Sequence, residues 1–267
     1  MSIIYALANQ KGGVGKTTTA VNVGSYLAEW GQQVLIVDAD PQANATSALG
    51  LDKHAIPSSI YDLLVQDVPL ARVIQPTRYE RLSIVPASPK LAGATVELVG
   101  LTRREYRLHD ALRGVDTENG DGYDYVLIDC PPSLGILTVN ALTATNGVII
   151  PVQCEYLALE GLSQLSRAIE LVRRALNSTL QLRGLVMTMY DVRTTLAKQV
   201  VEEVKGYFPG RVFNTIIPRN VRVSEAPSYG EPIASYAPHS AGGLAYATLT
   251  KELLLGDGKI KAPAKNC

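Results

Sequence analysis

The chain has 267 residues, 46% of them hydrophobic, with 25 Lys and Arg against 25 Asp and Glu. That apolar content suffices for one large core, and zero net charge excludes a global field drawing the protein onto nucleic acid or membrane, so any such binding must come from a local patch. The cysteines Cys130, Cys154 and Cys267 lie far apart without CxxC spacing, which excludes a dense disulfide framework and a cysteine zinc site and reads as cytosolic thiols.

Residues 2–8 form a short apolar run that stops at the polar Asn9 and Gln10, so no signal sequence is expected there. No later stretch approaches the roughly 18–20 apolar residues of a bilayer span, and a soluble cytoplasmic protein is expected. Short β-rich runs recur at 3–8, 34–38, 82–86, 125–129, 148–152, 185–189 and 212–217. Between them, 17–30, 157–176, 194–208 and 241–255 carry apolar residues at helical spacing, with Gly31 and Pro209 as stops. This alternation predicts an α/β fold, a mostly parallel sheet with helices on both faces. The first five runs lack apolar/polar alternation and read as central strands covered on both sides. Residues 117–123, rich in Gly, Asp and Asn, predict a surface loop. One domain is expected over 1–255, with 256–267 as a frayed tail.

The densest chemical signal is Lys11-Gly12-Gly13-Val14-Gly15-Lys16-Thr17-Thr18, after the first strand and before the first helix. Glycines let successive backbone N–H groups converge on an anion, and the new helix adds its positive end. Lys16 neutralises phosphate and the Thr17 hydroxyl can ligate Mg²⁺, so residues 11–18 predict a P-loop nucleotide site. Three acids stand at strand ends, Asp38 and Asp40 in Val34-Leu-Ile-Val-Asp38-Ala-Asp40-Pro41-Gln42 and Asp129 in Tyr125-Val-Leu-Ile-Asp129-Cys-Pro-Pro. In an open α/β sheet those ends line the ligand crevice. Asp129 suits the carboxylate that reaches Mg²⁺ from a buried strand. Pro131 and Pro132 then force the chain out of the sheet.

The loop departs from the general GxxxxGK[ST] pattern by carrying Gln10 where glycine is usual and Lys11 next to it. In this it resembles the deviant Walker A box of the ParA/MinD family. The likeness continues through DPQ after Asp38-Ala39, through 185–193 and through Ile217-Pro218-Arg219-Asn220-Val221-Arg222-Val223-Ser224-Glu225-Ala226-Pro227, covering nearly all of 2–255. The resemblance implies a P-loop NTPase-like fold and an ATPase using ATP and Mg²⁺, with a homodimer in which Lys11 reaches the partner's nucleotide. It assigns water activation to Asp40, support of Mg²⁺ to Thr17, Asp38 and Asp129, and adenine packing to Pro218 and Asn220. It also implies that Arg193, Arg219 and Arg222 form a non-specific double-stranded DNA surface, suited by the bidentate, permanently charged guanidinium, and that a ParB-like protein stimulates hydrolysis. A phosphate loop starting near residue 11 leaves no room for a preceding helix-turn-helix, so operator recognition is not expected. The tail lacks a basic amphipathic helix, so nucleoid rather than membrane is expected. Alternatives are a positioning ATPase with a protein cargo and a metabolic P-loop enzyme.

Overall fold

A computed structural model describes residues 2–113, 115, 122–155 and 158–260. Among the described residues seven strands make one sheet: β1 (Ile3–Leu7), β2 (Val34–Asp38), β3 (Gln75–Pro76), β4 (Leu82–Val85), β5 (Tyr125–Asp129), β6 (Gly147–Gln153) and β7 (Gln181–Thr188). Their order is β3-β4-β2-β5-β1-β6-β7, and every pair is parallel except the edge pair β3–β4.

The central strands are buried on both faces because successive side chains feed two separate cores. Leu35, Val37, Val126 and Ile128 pack with Leu91, Leu137, Leu165 and Val204 on one side. On the other, Val34, Ile36, Tyr125 and Leu127 pack with Leu27, Tyr246 and Leu249. The expected mostly parallel sheet with helices on both faces is therefore observed. In the β2–β5 register Asp38 stands opposite Asp129, which sets two carboxylates side by side at the carboxyl ends of neighbouring strands.

Two expectations are corrected. Residues 212–217 form no regular strand; they meet the outer side of β7 through an isolated bridge of Leu185 with Val212 and through the N–H groups of Phe213 and Ile217, which donate to the carbonyls of Leu185 and Met187, and just past both segments Tyr190 bridges Pro218. Glu252 takes over part of the ladder, its carboxylate accepting the backbone N–H groups of Asn214 and Thr215 at 2.7 and 3.0 Å. The last helix, Ala241–Gly256, runs through the residue where the tail was expected to begin. Beyond it, the Asp257 side chain is 4% exposed, accepts from the hydroxyls of Tyr5 and Tyr125 at 2.7 and 3.0 Å, and pairs with Arg183 at 2.9 Å. Of the expected loop at 117–123, only Gly122 and Tyr123 fall within the described residues, and 261–267, with Cys267, lie outside them.

Candidate nucleotide site

β1 delivers the chain to the turn of residues 9–15, which its neighbours hold open. Asn9 braces it twice, accepting from the Lys11 N–H at 3.0 Å and donating to the Pro151 carbonyl at 2.8 Å. The Thr188 hydroxyl at the end of β7 donates to the Val14 carbonyl at 2.8 Å. Gly13 and Gly15 have φ of 73° and 92°, a left-handed conformation that β-carbons oppose. A β-carbon at Gly12 or Gly13 would meet nothing within 4 Å, so the backbone there faces open space.

The helix Lys16–Glu29 then starts with neither a side-chain cap nor an acidic residue in its first turn. Its first N–H groups and positive end thus remain available to an anion. Lys16 is 6% exposed, and its Nζ donates to the Lys11 carbonyl at 3.2 Å. Burial lowers its pKa, while Asp129, Cys130 and Asp40 oppose that shift.

A cavity of about 630 Å³ opens over this turn, lined at one end by Gly12, Gly13, Gly15, Lys16, Thr17 and Thr18. Asp40 also lines it, and Val21, Ala48, Met189, Ala226 and Pro227 supply apolar wall. Met189 takes a φ of 53°, a strained conformation for a residue with a side chain, where β7 ends at the cavity.

The three carboxylates have different environments. Asp38 is fully buried and already engaged: one oxygen accepts the N–H and the hydroxyl of Thr46, the other the N–H of Asp40. Burial pushes its pKa up to about 6 against those bonds, with Asp40 adding to the rise. Asp40 accepts from the Gln42 N–H at 2.9 Å and is 6% exposed. Asp129 is fully buried, and among the described residues neither of its oxygens has a hydrogen-bond partner of normal geometry. Burial first and then the Asp38 charge drive its pKa well up, opposed by Thr17 and Lys16.

A buried carboxylate without a partner is costly. An unpaired carboxylate beside a hydroxyl, a lysine and an anion cradle fits a hard divalent cation carried by phosphate oxygens. ATP and Mg²⁺ therefore suit the residues present: Asp129 and Thr17 could serve the metal and residues 12–18 the phosphates. Asp38 is tied to Thr46 and Asp40, which makes it a brace for that set.

The other expected site residues are placed differently. Lys11 is not among the cavity-lining residues; its ammonium lies 3.7 Å from Glu155, which also sits 3.5 Å from Arg219. Pro218 and Asn220 do not line the cavity either, and the wall on that side is Ser224, Ala226, Pro227, Ser228 and Glu231. Asn220 instead caps the helix Val221–Glu225, its side chain accepting from the N–H groups of Arg222 and Val223. Arg193, Arg219 and Arg222 have side chains 82%, 62% and 60% exposed, each beside a carboxylate: Asp191, Glu155 and Glu225. Sequence reasoning missed Thr46, Glu155 and the 224–231 wall. Thr46 gave no signal beyond a polar residue near the second strand. The buried thiols of Cys130 and Cys154 are both pushed up by burial.

A family model described as an AAA domain matches residues 1–182. The sporulation initiation inhibitor protein Soj of Bacillus subtilis is 54% identical over 253 residues, covering 95% of this chain and 98% of that protein. The chromosome partitioning protein ParA of Myxococcus xanthus is 52% identical over 254 residues, covering 95% and 88%. Among solved structures, a cobyrinic acid a,c-diamide synthase from Mycobacterium smegmatis with bound ADP and magnesium has a TM-score of 0.84 at 38% identity, covering 98% of both chains. At this identity over nearly its whole length, the chain belongs to the Soj/ParA family of chromosome-partitioning ATPases.

Proposed function

We propose that this protein is a DNA-partitioning ATPase that binds ATP with Mg²⁺, closes into a nucleotide-sandwich homodimer, holds double-stranded DNA without sequence preference, and lets go after partner-stimulated hydrolysis. The observation that carries the nucleotide chemistry is the unpaired, buried Asp129 carboxylate beside the Lys16–Thr17 turn, under the open glycine cradle. In this reading residues 12–18 orient the phosphates and Lys16 neutralises the transferring group. Asp40 orients the attacking water, and Thr17 and Asp129 would hold Mg²⁺, which when bound would neutralise charge at the phosphate oxygens.

Lys11 supports the dimer. Its ammonium points to Glu155 rather than into its own cavity, as suits a group that serves a second subunit. The three arginines support DNA binding. They are exposed and each lies in a surface ion pair, which phosphate can displace because such pairs are weak. ParA of M. xanthus is a partitioning protein by name, and a ParB-like activator and nucleoid association follow for this chain on the same reading. No helix among the described residues is long and apolar enough to cross a membrane. A metabolic amidation enzyme finds support in the M. smegmatis synthase at 38% identity, but the 54% and 52% matches favour partitioning.

The test is DNA binding with ATP, ADP or no nucleotide across a salt series, with Lys16→Ala and Arg222→Ala alongside. Binding that needs ATP, ignores sequence and falls with salt supports the proposal; each lost phosphate contact flattens the log–log slope by about 0.9. Absence of DNA binding in every state removes this mechanism. Asp40→Ala tests the water-orienting role, and full turnover in that variant would reassign it.

A further inference from the structure

Glu155 stands where two otherwise separate functional groups meet. One carboxylate oxygen lies 3.7 Å from the Lys11 ammonium in the phosphate loop, and the other lies 3.5 Å from the Arg219 guanidinium. Gln153 donates to that second oxygen at 2.6 Å. The other two arginines expected to meet DNA pair with different carboxylates, and among the described residues neither carboxylate pairs with a lysine of the loop: Asp191 lies 2.6 Å from Arg193 and Glu225 lies 3.0 Å from Arg222.

We propose that Glu155 is a positioning residue shared by Lys11 and Arg219, and that it penalises the state in which both cations are engaged elsewhere. The inference rests on the reading of Lys11 as a cation for the partner's nucleotide and of Arg219 as a phosphate contact. When Arg219 alone moves to a DNA phosphate, Glu155 keeps Lys11 and its charge stays compensated. When Lys11 alone leaves, the two cations cease to repel one another and Arg219 is held more firmly. When both leave, a bare carboxylate remains close to nucleotide and DNA phosphates, which repel it. Glu155 thus sets nucleotide engagement against DNA engagement and keeps the fully engaged dimer releasable. All three side chains are partly exposed, 42% for Lys11, 46% for Glu155 and 62% for Arg219, so hydration softens the penalty to a few-fold effect.

The sharing is tested first without DNA, by acylating the nucleotide-free full chain with an amine-reactive ester and following Lys11 by peptide mass spectrometry. Glu155→Gln speeds Lys11 acylation by about two- to fivefold, the scale of an exposed ion pair, while Arg219→Ala slows it because Lys11 then has Glu155 to itself. Glu225→Gln leaves Lys11 unchanged, and thermal unfolding confirms that each variant is folded. DNA affinity is then measured with and without ATP. Glu155→Gln gains more with ATP than without it, whereas Glu225→Gln gains equally in both states. Lys11 rates that ignore Glu155 and Arg219, or equal DNA gains for Glu155→Gln in both states, overturn the inference. If no state binds DNA while the Lys11 rates shift as stated, the shared carboxylate stands and the DNA reading falls. If DNA binding follows ATP while the Lys11 rates do not move, the DNA reading stands and the shared carboxylate falls.

Discussion

Thr46 directs both its backbone N–H and its hydroxyl at one oxygen of Asp38, at 2.8 and 2.7 Å, and its hydroxyl oxygen in turn accepts the Ala87 N–H at 2.9 Å. A single threonine on the helix Asn44–Ala48 therefore links the carboxyl end of β2 to the chain leaving β4. It also carries most of the hydrogen bonding that keeps a fully buried carboxylate ionisable.

This arrangement gives the nucleotide-free protein a stability that falls with rising pH. The folded-state pKa of Asp38 is about 6, above its ordinary value of 3.8. The folded chain thus holds that proton more tightly, and the stabilisation is complete below pH 3.8 and lost as pH rises through about 6. Two pH units correspond to on the order of 3 kcal/mol. Urea midpoints measured from pH 4 to 7 should decline. Thr46→Val removes a bond that lowers this pKa, so its decline extends to higher pH. It also orphans the Ala87 N–H, lowering stability by about 1–3 kcal/mol throughout. A flat profile in the wild type, or a Thr46→Val variant of unchanged stability, would contradict the assignment.

Asp129 should show a conflict between stability and activity. Its two unpaired oxygens are buried beside Asp38, and the charge is disfavoured by burial and by that neighbour. Asp129→Asn keeps the shape and removes the charge, so the melting temperature of the nucleotide-free chain should rise. Mg²⁺-dependent ATP turnover should fall by roughly 10–100-fold, the usual scale for a group supporting a bound metal. Calorimetry and a phosphate-release assay on the same preparation check both arms. A variant that melts lower and hydrolyses normally would reverse the reading.

What could be read beforehand follows a physical division. β2 and β5 match the expected 34–38 and 125–129 because strands covered on both faces are continuous apolar runs, and each ends in an aspartate. The phosphate turn was legible because it is local in sequence. The helix Ile136–Ala144 was not, because its buried residues, among them Leu137, Thr138, Asn140 and Ala141, leave no amphipathic stripe. Residues 212–217 look like a strand, yet their N–H groups are satisfied partly by Glu252, a partner 37 residues away. The same limit hid Glu155, which meets Lys11 only through the tertiary fold, and it hid the cavity wall at 224–231. Asn220 before a short helix is a capping signal, and in the structure it caps.

The C-terminal anchor makes a separate stability prediction. Asp257 joins Tyr5, Tyr125 and Arg183, drawing β1, β5, β7 and the end of the last helix together. Asp257→Ala leaves the partly buried Arg183 without its carboxylate and should cost about 3 kcal/mol, the lower part of the range for breaking a buried pair. Truncation after Leu255 should cost at least as much. Chemical denaturation measures both, and a loss below about 0.5 kcal/mol, the size of an ordinary surface change, would return these residues to the status of a tail.

The two lysines of the phosphate loop should separate binding from turnover. Lys16 is 6% exposed and lines the cavity, so Lys16→Ala removes the cation nearest the phosphates and should abolish ATP binding measured by calorimetry. Lys11 has a side chain 42% exposed, held by Glu155 and outside the cavity lining, so Lys11→Ala should bind ATP with an affinity close to wild type. Without a cation to reach a second subunit's nucleotide, that variant should stay monomeric with ATP and lose hydrolysis, as an arginine finger's removal does elsewhere. Sedimentation with ATP and turnover against protein concentration test this pair of outcomes. A monomeric wild type whose turnover per chain ignores concentration would show that Lys11 acts, if at all, within its own subunit.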